Sequence, residues 1–399
     1  MCCVTDPQWA ALLDCVKDVP RSNLANAAEV LHHSPLYGPD KLWLDTFLDR
    51  LMTADSPDRE WRDDDDTKAT IYMQQDVGMR TVSSAHVAAA AAHIGRQRAR
   101  HCVREAIQAH PWDDVPRIAL AFEEYWGIEP GPGQSSAYIR AVSANFFIGM
   151  IARVFSPGCQ LDTMVVFEGA QGIGKSRALR ALGGDWYMLA AEPVTSKDFF
   201  QALPGKWLIE IGELEAFSKA ERERIKLAIS TPSDRYRGSY DRRSSDHPRQ
   251  CVFAGTTNRD DWGNDDTGLR RFWPVHCSLV NIPGILAHRA DWFAEALVLF
   301  HTGASWWDTP VHDTLTVQHD RQYRDIWTDV VLDWCRTQQG LDDITVAEIA
   351  RGALALRDAQ MTRAEQNRIG SILRCAGWTN ANLRRHGRQV KVWLPPIEK

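Results

Sequence analysis

An α/β fold built on a mainly parallel sheet is what the sequence predicts, and three observations carry it. From Thr163 onward, short apolar runs (TMVVFEG, KWLIEIGELE and RQCVFAGTTN) alternate with helical stretches. The third run is almost wholly apolar, as a strand buried on both faces is, rather than alternating like one with a wet side. The intervening SRALRALGG and KAERERIKLAIS have helical spacing, and two glycines stop the first of them. Buried strands alternating with helices place helices on both faces of one sheet.

Taken in order, residues 1–130 read as a helical N-terminal region, with SNLANAAEVLHH, KLWLDTFLDRLM and SSAHVAAAAAHIGRQRARHCVREAIQAH as its helices. The acidic run from Asp55 to Asp66 reads as a solvated loop between them. GIEPGPGQSS is the clearest break, and the helix AYIRAVSANFFIGMIARVF after it opens a central domain over residues 131–300. A helical connector is expected over residues 301–340, and a small basic domain over residues 341–399. That tail offers ITVAEIARGAL, a capping box at Thr362 and Glu365 opening QNRIGSILRCAG, and NLRRHGRQVKVWLP, a hairpin turning at His386 and Gly387. Two helices and a basic hairpin resemble a winged helix. Of the 16 tryptophans, Trp207, Trp292, Trp306 and Trp307 stand in apolar settings and read as core.

Composition excludes several classes. With 399 residues and 44% apolar side chains the chain can fill two or three cores, so it is neither a mini-scaffold nor disordered. No uninterrupted run of about 18 apolar residues occurs, and the first twenty residues carry Asp6, Asp14, Lys17 and Asp18. Neither membrane span nor signal peptide is readable, and a soluble cytoplasmic protein is expected. Nine scattered cysteines without a C-x-x-C pair fit reduced thiols better than a disulfide frame or a zinc site. The net charge of -6 conceals an asymmetry: residues 1–150 hold 14 basic and 21 acidic side chains, whereas residues 351–399 hold 10 and 3.

The strongest single motif is Gly169-Ala-Gln171-Gly172-Ile173-Gly174-Lys175-Ser176, which matches G-x-x-x-x-G-K-[ST] between a strand and a helix. Glycines there let backbone N–H groups turn around phosphate oxygens, Lys175 can reach the β- and γ-phosphates, and the Ser176 hydroxyl can ligate Mg²⁺. Arg177 opens the helix beside them. The second strand ends in Glu213 and Glu215, where one acid can hold the metal shell and another can orient or deprotonate water. Glu210, on the opposite strand face from Glu213, ranks below it. The third strand delivers Asn258, able to touch the γ-phosphate or the attacking water. Arg270 and Arg271 follow, and an arginine supplies planar charge for a transferring phosphoryl group, in cis or from a neighbouring subunit.

The ordered stretches VFEGAQGIGKSRALRAL, WLIEIGELEAF, SDRYRGSYDRR, DHPRQCVFAGTTNRDD and GLRRFWPV resemble the virulence-associated protein E family, whose ATPase core is similar to superfamily 3 helicases within the AAA+ class. That resemblance implies an ATPase that uses ATP and Mg²⁺ and forms a homo-oligomeric ring, hexameric by expectation, on single-stranded or forked DNA. Gly169 to Ser176 would be Walker A, Glu213 the Walker B acid with Glu215 its partner, and Asn258 sensor 1. Arg270 or Arg271 would be the finger. Family members are associated with phages, prophages and mobile elements.

In resembling helicases a hairpin that grips DNA lies between the second and third strands. Here that interval, DRYRGSYDRRSSDHPR, holds Arg235, Arg237, Arg242, Arg243 and Arg249 with Tyr236 and Tyr240, residue types that suit phosphate contact and base stacking. In the tail, Arg384, Arg385 and Arg388 dominate a second basic surface. The leading expectation is a DNA helicase or remodelling motor. The alternative is a nucleotide-switched DNA-binding regulator or initiator without processive unwinding. A small-molecule kinase needs neither basic surface.

Overall fold

The computed structural model describes residues 7–131, 134–214, 217–236, 244–259, 269–311, 313–314, 327–338, 343–357, 360–385 and 388–396. The chain divides into two units, residues 1–258 with 270–316, and residues 259–269 with 317–399.

The first unit begins with α1 (Pro7–Ala10), β1 (Cys15–Val16), β2 (Val19–Pro20), α2 (Leu24–His33), β3 (Leu42–Asp45), β4 (Arg50–Thr53), β5 (Arg59–Glu60), α3 (Asp63–Gln75), α4 (Ser84–Gln97) and α5 (Cys102–Gln108). Their apolar residues from Trp9 to Ile94 form one core. KLWLDTFLDRLM is not the expected helix: it folds as the β3–β4 hairpin, pairing Leu44 with Leu51 and Trp43 with Met52. The Asp45 carboxylate accepts the backbone N–H groups of Phe47 and Leu48 at 2.8 and 3.1 Å, and this local turn competes with helical bonding. The acidic run departs from expectation too, since Asp63 to Asp66 form the first turn of α3, where negative charge meets the positive end of the helix dipole. Asp65 closes the turn by accepting the Arg62 N–H at 2.9 Å and takes a bidentate pair from Arg59 at 2.7 and 2.8 Å.

The central part contains α6 (Ala121–Tyr125), α7 (Ser136–Phe155), β6 (Met164–Glu168), α8 (Lys175–Gly183), β7 (Tyr187–Leu189), α9 (Lys197–Ala202), β8 (Leu208–Ile211), α10 (Lys219–Ser230), β9 (Ser233–Tyr236), β10 (Ser245–Pro248), β11 (Val252–Thr256), β12 (Phe272–His276) and α11 (Ile282–His301). Five strands form a sheet in the order β12-β6-β11-β8-β7, and every pairing is parallel. Helices cover both faces, as the alternation predicts. On one face, Phe167 of β6 packs among Phe122, Trp126 and Phe146 at 5.3 to 6.2 Å between ring centroids. On the other, Phe199 of α9 stacks on Phe253 of β11. Gly255 there lies against Leu214, Met164 and Val166, too close for a side chain.

α7 is long and apolar enough to cross a membrane, but 78% of its apolar window is buried inside the protein. Its Tyr138 hydroxyl donates to Pro274 O at 3.1 Å and its Met150 O accepts the Trp207 indole N–H at 2.9 Å, so it is the spine of the fold. Trp207 and Trp292 are fully buried as expected, whereas Trp307 is 55% exposed and lies edge-on to Trp306.

The second unit holds α12 (Thr328–Thr337), α13 (Val346–Gly352), α14 (Arg363–Cys375), β13 (Thr379–Arg385) and β14 (Arg388–Leu394). Val331 and Cys335 of α12 share a core with Ile349, Ile369 and Trp393, so the expected boundary at residue 340 falls inside this unit. The capping box forms: Thr362 caps α14, and Glu365 accepts the Thr362 N–H at 3.0 Å. β13 and β14 pair from Thr379 and Leu394 to Arg385 and Arg388, while His386 and Gly387 lie outside the described residues.

Candidate phosphate-binding site

The carboxyl ends of β6, β8 and β11 lie side by side, and the loop leaving β6 runs directly into α8. Gly169 has a φ of +134°, and a Cβ on it would stand 2.5 Å from Cys277 O, so only glycine fits the start of the loop. Gly174, at φ +106°, is the N-cap of α8, and the N–H groups of the first helical turn follow it. Beside this loop opens a cavity of about 550 Å³ lined by Gln171, Gly172, Gly174, Lys175, Ser176, Arg177, Glu210, Glu213, Phe217, Thr256, Thr257 and Asn258, among others. Gly169 and Ile173 do not line it.

Lys175 is buried, and its ammonium donates to Gly169 O at 2.6 Å, Ala170 O at 2.9 Å and Asn258 Oδ1 at 3.1 Å. The lysine and the asparagine are therefore brought together, and the backbone acceptors are ones that phosphate oxygens can replace. Ser176 donates to Glu210 Oε1 at 2.6 Å. Thr256 donates to the same oxygen at 2.8 Å, and the Tyr187 hydroxyl to Oε2 at 2.6 Å. Burial first, and then the Glu210 carboxylate, pushes the Tyr187 phenol well above its ordinary pKa.

Glu210, ranked below Glu213 by strand alternation, is thus the acid that touches the loop serine. The alternation rule fails because β8 ends at Ile211, so Glu213 lies beyond the strand. Glu213 has a left-handed backbone, φ +53°, which costs an L-residue roughly 1–2 kcal/mol and turns its exposed side chain to the cavity rim. The sequence signal that favours Glu210 is its setting: an acid inside the apolar run WLIEI must be paired when the strand is buried on both faces. Tyr187, Thr256 and Thr257 carried no comparable mark. Glu215 lies outside the described residues.

Among the described residues no cluster of three or more His, Cys, Asp or Glu side chains is placed to hold a metal ion by itself. The Ser176 hydroxyl and the Glu210 and Glu213 carboxylates are nonetheless hard oxygen donors, the kind that bind Mg²⁺ when substrate phosphates complete its shell.

The remaining expected residues lie elsewhere. Arg270 and Arg271 precede β12 and are not near this cavity. The register pairs Phe272 with Met164 and His276 with Glu168, which puts the arginines at the amino edge of the sheet, about 20 Å below the phosphate loop. Arg271 Nε donates to Ser230 at 2.8 Å, and Arg270 is exposed. Arg235 on β9 is exposed, with a loose 3.5 Å pair to Asp246 across the β9–β10 hairpin. Arg249 departs from its grouping with the DNA-facing arginines. It is 3% exposed, forms two 2.6 Å bonds to Asp234 and a third to Ala228 O, and so holds the hairpin base. Arg237, Arg242 and Arg243 lie outside the described residues, as do the side chains of Arg385 and Arg388, while Arg384 is exposed.

A model of the virulence-associated protein E-like domain matches residues 107–325, more than half of the chain. The chain belongs to that family. Membership in the virulence-associated protein E-like family implies a P-loop ATPase core and hence nucleotide binding at this loop. No curated protein matches the sequence. Among solved structures, the A form apo structure of the NrS-1 C terminal region is similar over 94% of this chain and 99% of that one, with 12% identity and a TM-score of 0.50. A second apo structure of that region matches over 89% and 95%, with 12% identity and a TM-score of 0.45. At such identity the likeness is one of fold.

Proposed function

We propose that this protein is a Mg²⁺-dependent ATPase with an AAA+ core that forms a ring on single-stranded or forked DNA and remodels or unwinds it during replication of a phage or mobile element. The observation that carries the reading is the convergence of Lys175, Ser176, Glu210, Glu213 and Asn258 on one cavity at the carboxyl edge of the sheet. Lys175 and the α8 N-terminus hold phosphates. Ser176 and Glu210 support the cation, which when bound neutralises charge on the phosphates. Glu213 orients water and Asn258 meets the γ-phosphate.

The placement of Arg270 and Arg271 supports the ring. At the far edge of the sheet they serve no phosphate in their own cavity, so as fingers they act on a neighbouring copy. Arg235 on the hairpin, and Arg384 in a winged-helix-like second unit, supply exposed charge for a DNA backbone. The test is mass measurement with and without ATP and DNA, followed by ATPase and strand-displacement assays. A nucleotide-dependent ring whose turnover rises with single-stranded DNA supports the motor. A chain that stays monomeric with both ligands sinks the ring, and DNA binding without displacement leaves the nucleotide-switched regulator.

A further inference from the structure

We propose that Tyr187 is a positioning residue that fixes the Glu210 carboxylate so that the Ser176 hydroxyl presents its lone pairs to the cation, an inference that rests on the reading of this cavity as a Mg²⁺-nucleotide site. A serine hydroxyl has one proton and two lone pairs. Ser176 gives its proton to Glu210 Oε1 at 2.6 Å, which leaves its lone pairs free, and their direction depends on where that oxygen stands.

Two other hydroxyls decide the matter. Thr256 shares Oε1 from β11 at 2.8 Å, and Tyr187 occupies Oε2 from the edge strand β7 at 2.6 Å. With both oxygens engaged the carboxylate cannot rotate without breaking a bond. Glu210 is 1% exposed, so no bulk water replaces a lost partner.

The tyrosine is itself held. β7 pairs with β8 so that Tyr187 lies opposite Leu208 and Leu189 opposite Glu210, and Ala190 N–H donates to Glu210 O at 2.9 Å. Gly183, in the last turn of α8, lies so close that a Cβ there would approach the Tyr187 Cβ to 2.9 Å. The Arg180 guanidinium lies over the tyrosine ring at 5.4 Å. One helix thus carries Ser176 at its start and, one and two turns on, the Arg180 and Gly183 surfaces that seat Tyr187, which returns to Ser176 through Glu210.

Tyr187→Phe keeps the ring against Gly183 and Arg180 and removes only the hydroxyl. Mn²⁺ binding to the ADP complex, read by electron spin resonance, is expected to weaken about tenfold, with metal-free ADP affinity within about twofold of wild type. The Mg²⁺ concentration for half-maximal ATP turnover should rise in step. In a Glu210→Ala background the same change should have no further effect on Mn²⁺ affinity, because Tyr187 acts through that carboxylate. Unchanged Mn²⁺ affinity in the single variant, an equal loss in the Glu210→Ala background, or a loss of metal-free ADP affinity overturns the proposal. Wild-type protein that binds no ADP at all defeats the nucleotide reading, and this inference with it, a result distinct from an unaltered variant.

Discussion

The two edges of the central sheet use similar charged side chains to opposite ends. At the carboxyl edge, Lys175 is bonded to carbonyls of its own loop and lines an open cavity, so a phosphate can take over its bonds. At the amino edge, Arg249 is enclosed with Asp234 in a bidentate pair that fills its guanidinium, and no ligand can reach it. A charged residue serves chemistry where its partners are exchangeable and architecture where they are built in. Basic composition alone does not distinguish the two.

The largest expected effect comes from removing the exchangeable charge. Lys175→Ala should lower ATP turnover at least about 100-fold, about 3 kcal/mol of lost phosphate stabilisation, with little change in melting temperature. Undiminished phosphate release would remove the chemistry from that edge. Asp234→Ala should do the reverse, leaving Arg249 buried without its carboxylate and costing about 3–5 kcal/mol of stability in denaturant unfolding. A loss no larger than a surface substitution would mean that the pair is not the hairpin's anchor.

The third test concerns the amino edge as a partner to the other. Arg271→Ala subunits mixed with wild type should depress ATPase activity beyond their proportion, since each would spoil a neighbour's site, and a strictly proportional loss argues against action in trans. The smallest stability effect belongs to Arg235→Ala, next to Asp234 of the anchored pair on β9: within about 0.5 kcal/mol in unfolding. Its weak 3.5 Å surface contact leaves it free for DNA, so single-stranded DNA affinity should fall while stability does not. A stability loss like that of Asp234→Ala would erase the distinction between the two arginines.

The same distinction explains what could be read in advance. The P-loop, the strands of the sheet and Asn258 were legible because each depends on local pattern: glycine spacing, apolar runs and strand ends. The contacts of Glu210 are not legible in the same way, because they come from Ser176, 34 residues away, and from Thr256 on the neighbouring strand. Arg249 was grouped with its neighbours because only the register of β9 and β10 brings it to Asp234. KLWLDTFLDRLM has helical composition, and its fate as a hairpin was set by cross-strand partners and by the turn that Asp45 closes.

α7 adds a constraint on how the protein is made. Phe122 and the Ile118 carbonyl cover it from upstream, but its other partners are made later: Trp207, Pro274, and Trp292 and Phe293 of α11, which pack on Phe147. At roughly 5–20 residues per second, the roughly 150 residues between α7 and the end of α11 take on the order of 10–30 s to synthesise. Throughout that interval the twenty-residue apolar helix has only its upstream partners, Phe122 and the Ile118 carbonyl among them, to cover it. Of its two arginines, Arg140 finds its partner Glu123 already made, whereas Arg153, 2% exposed in the folded chain, needs the Leu161 carbonyl that follows the helix.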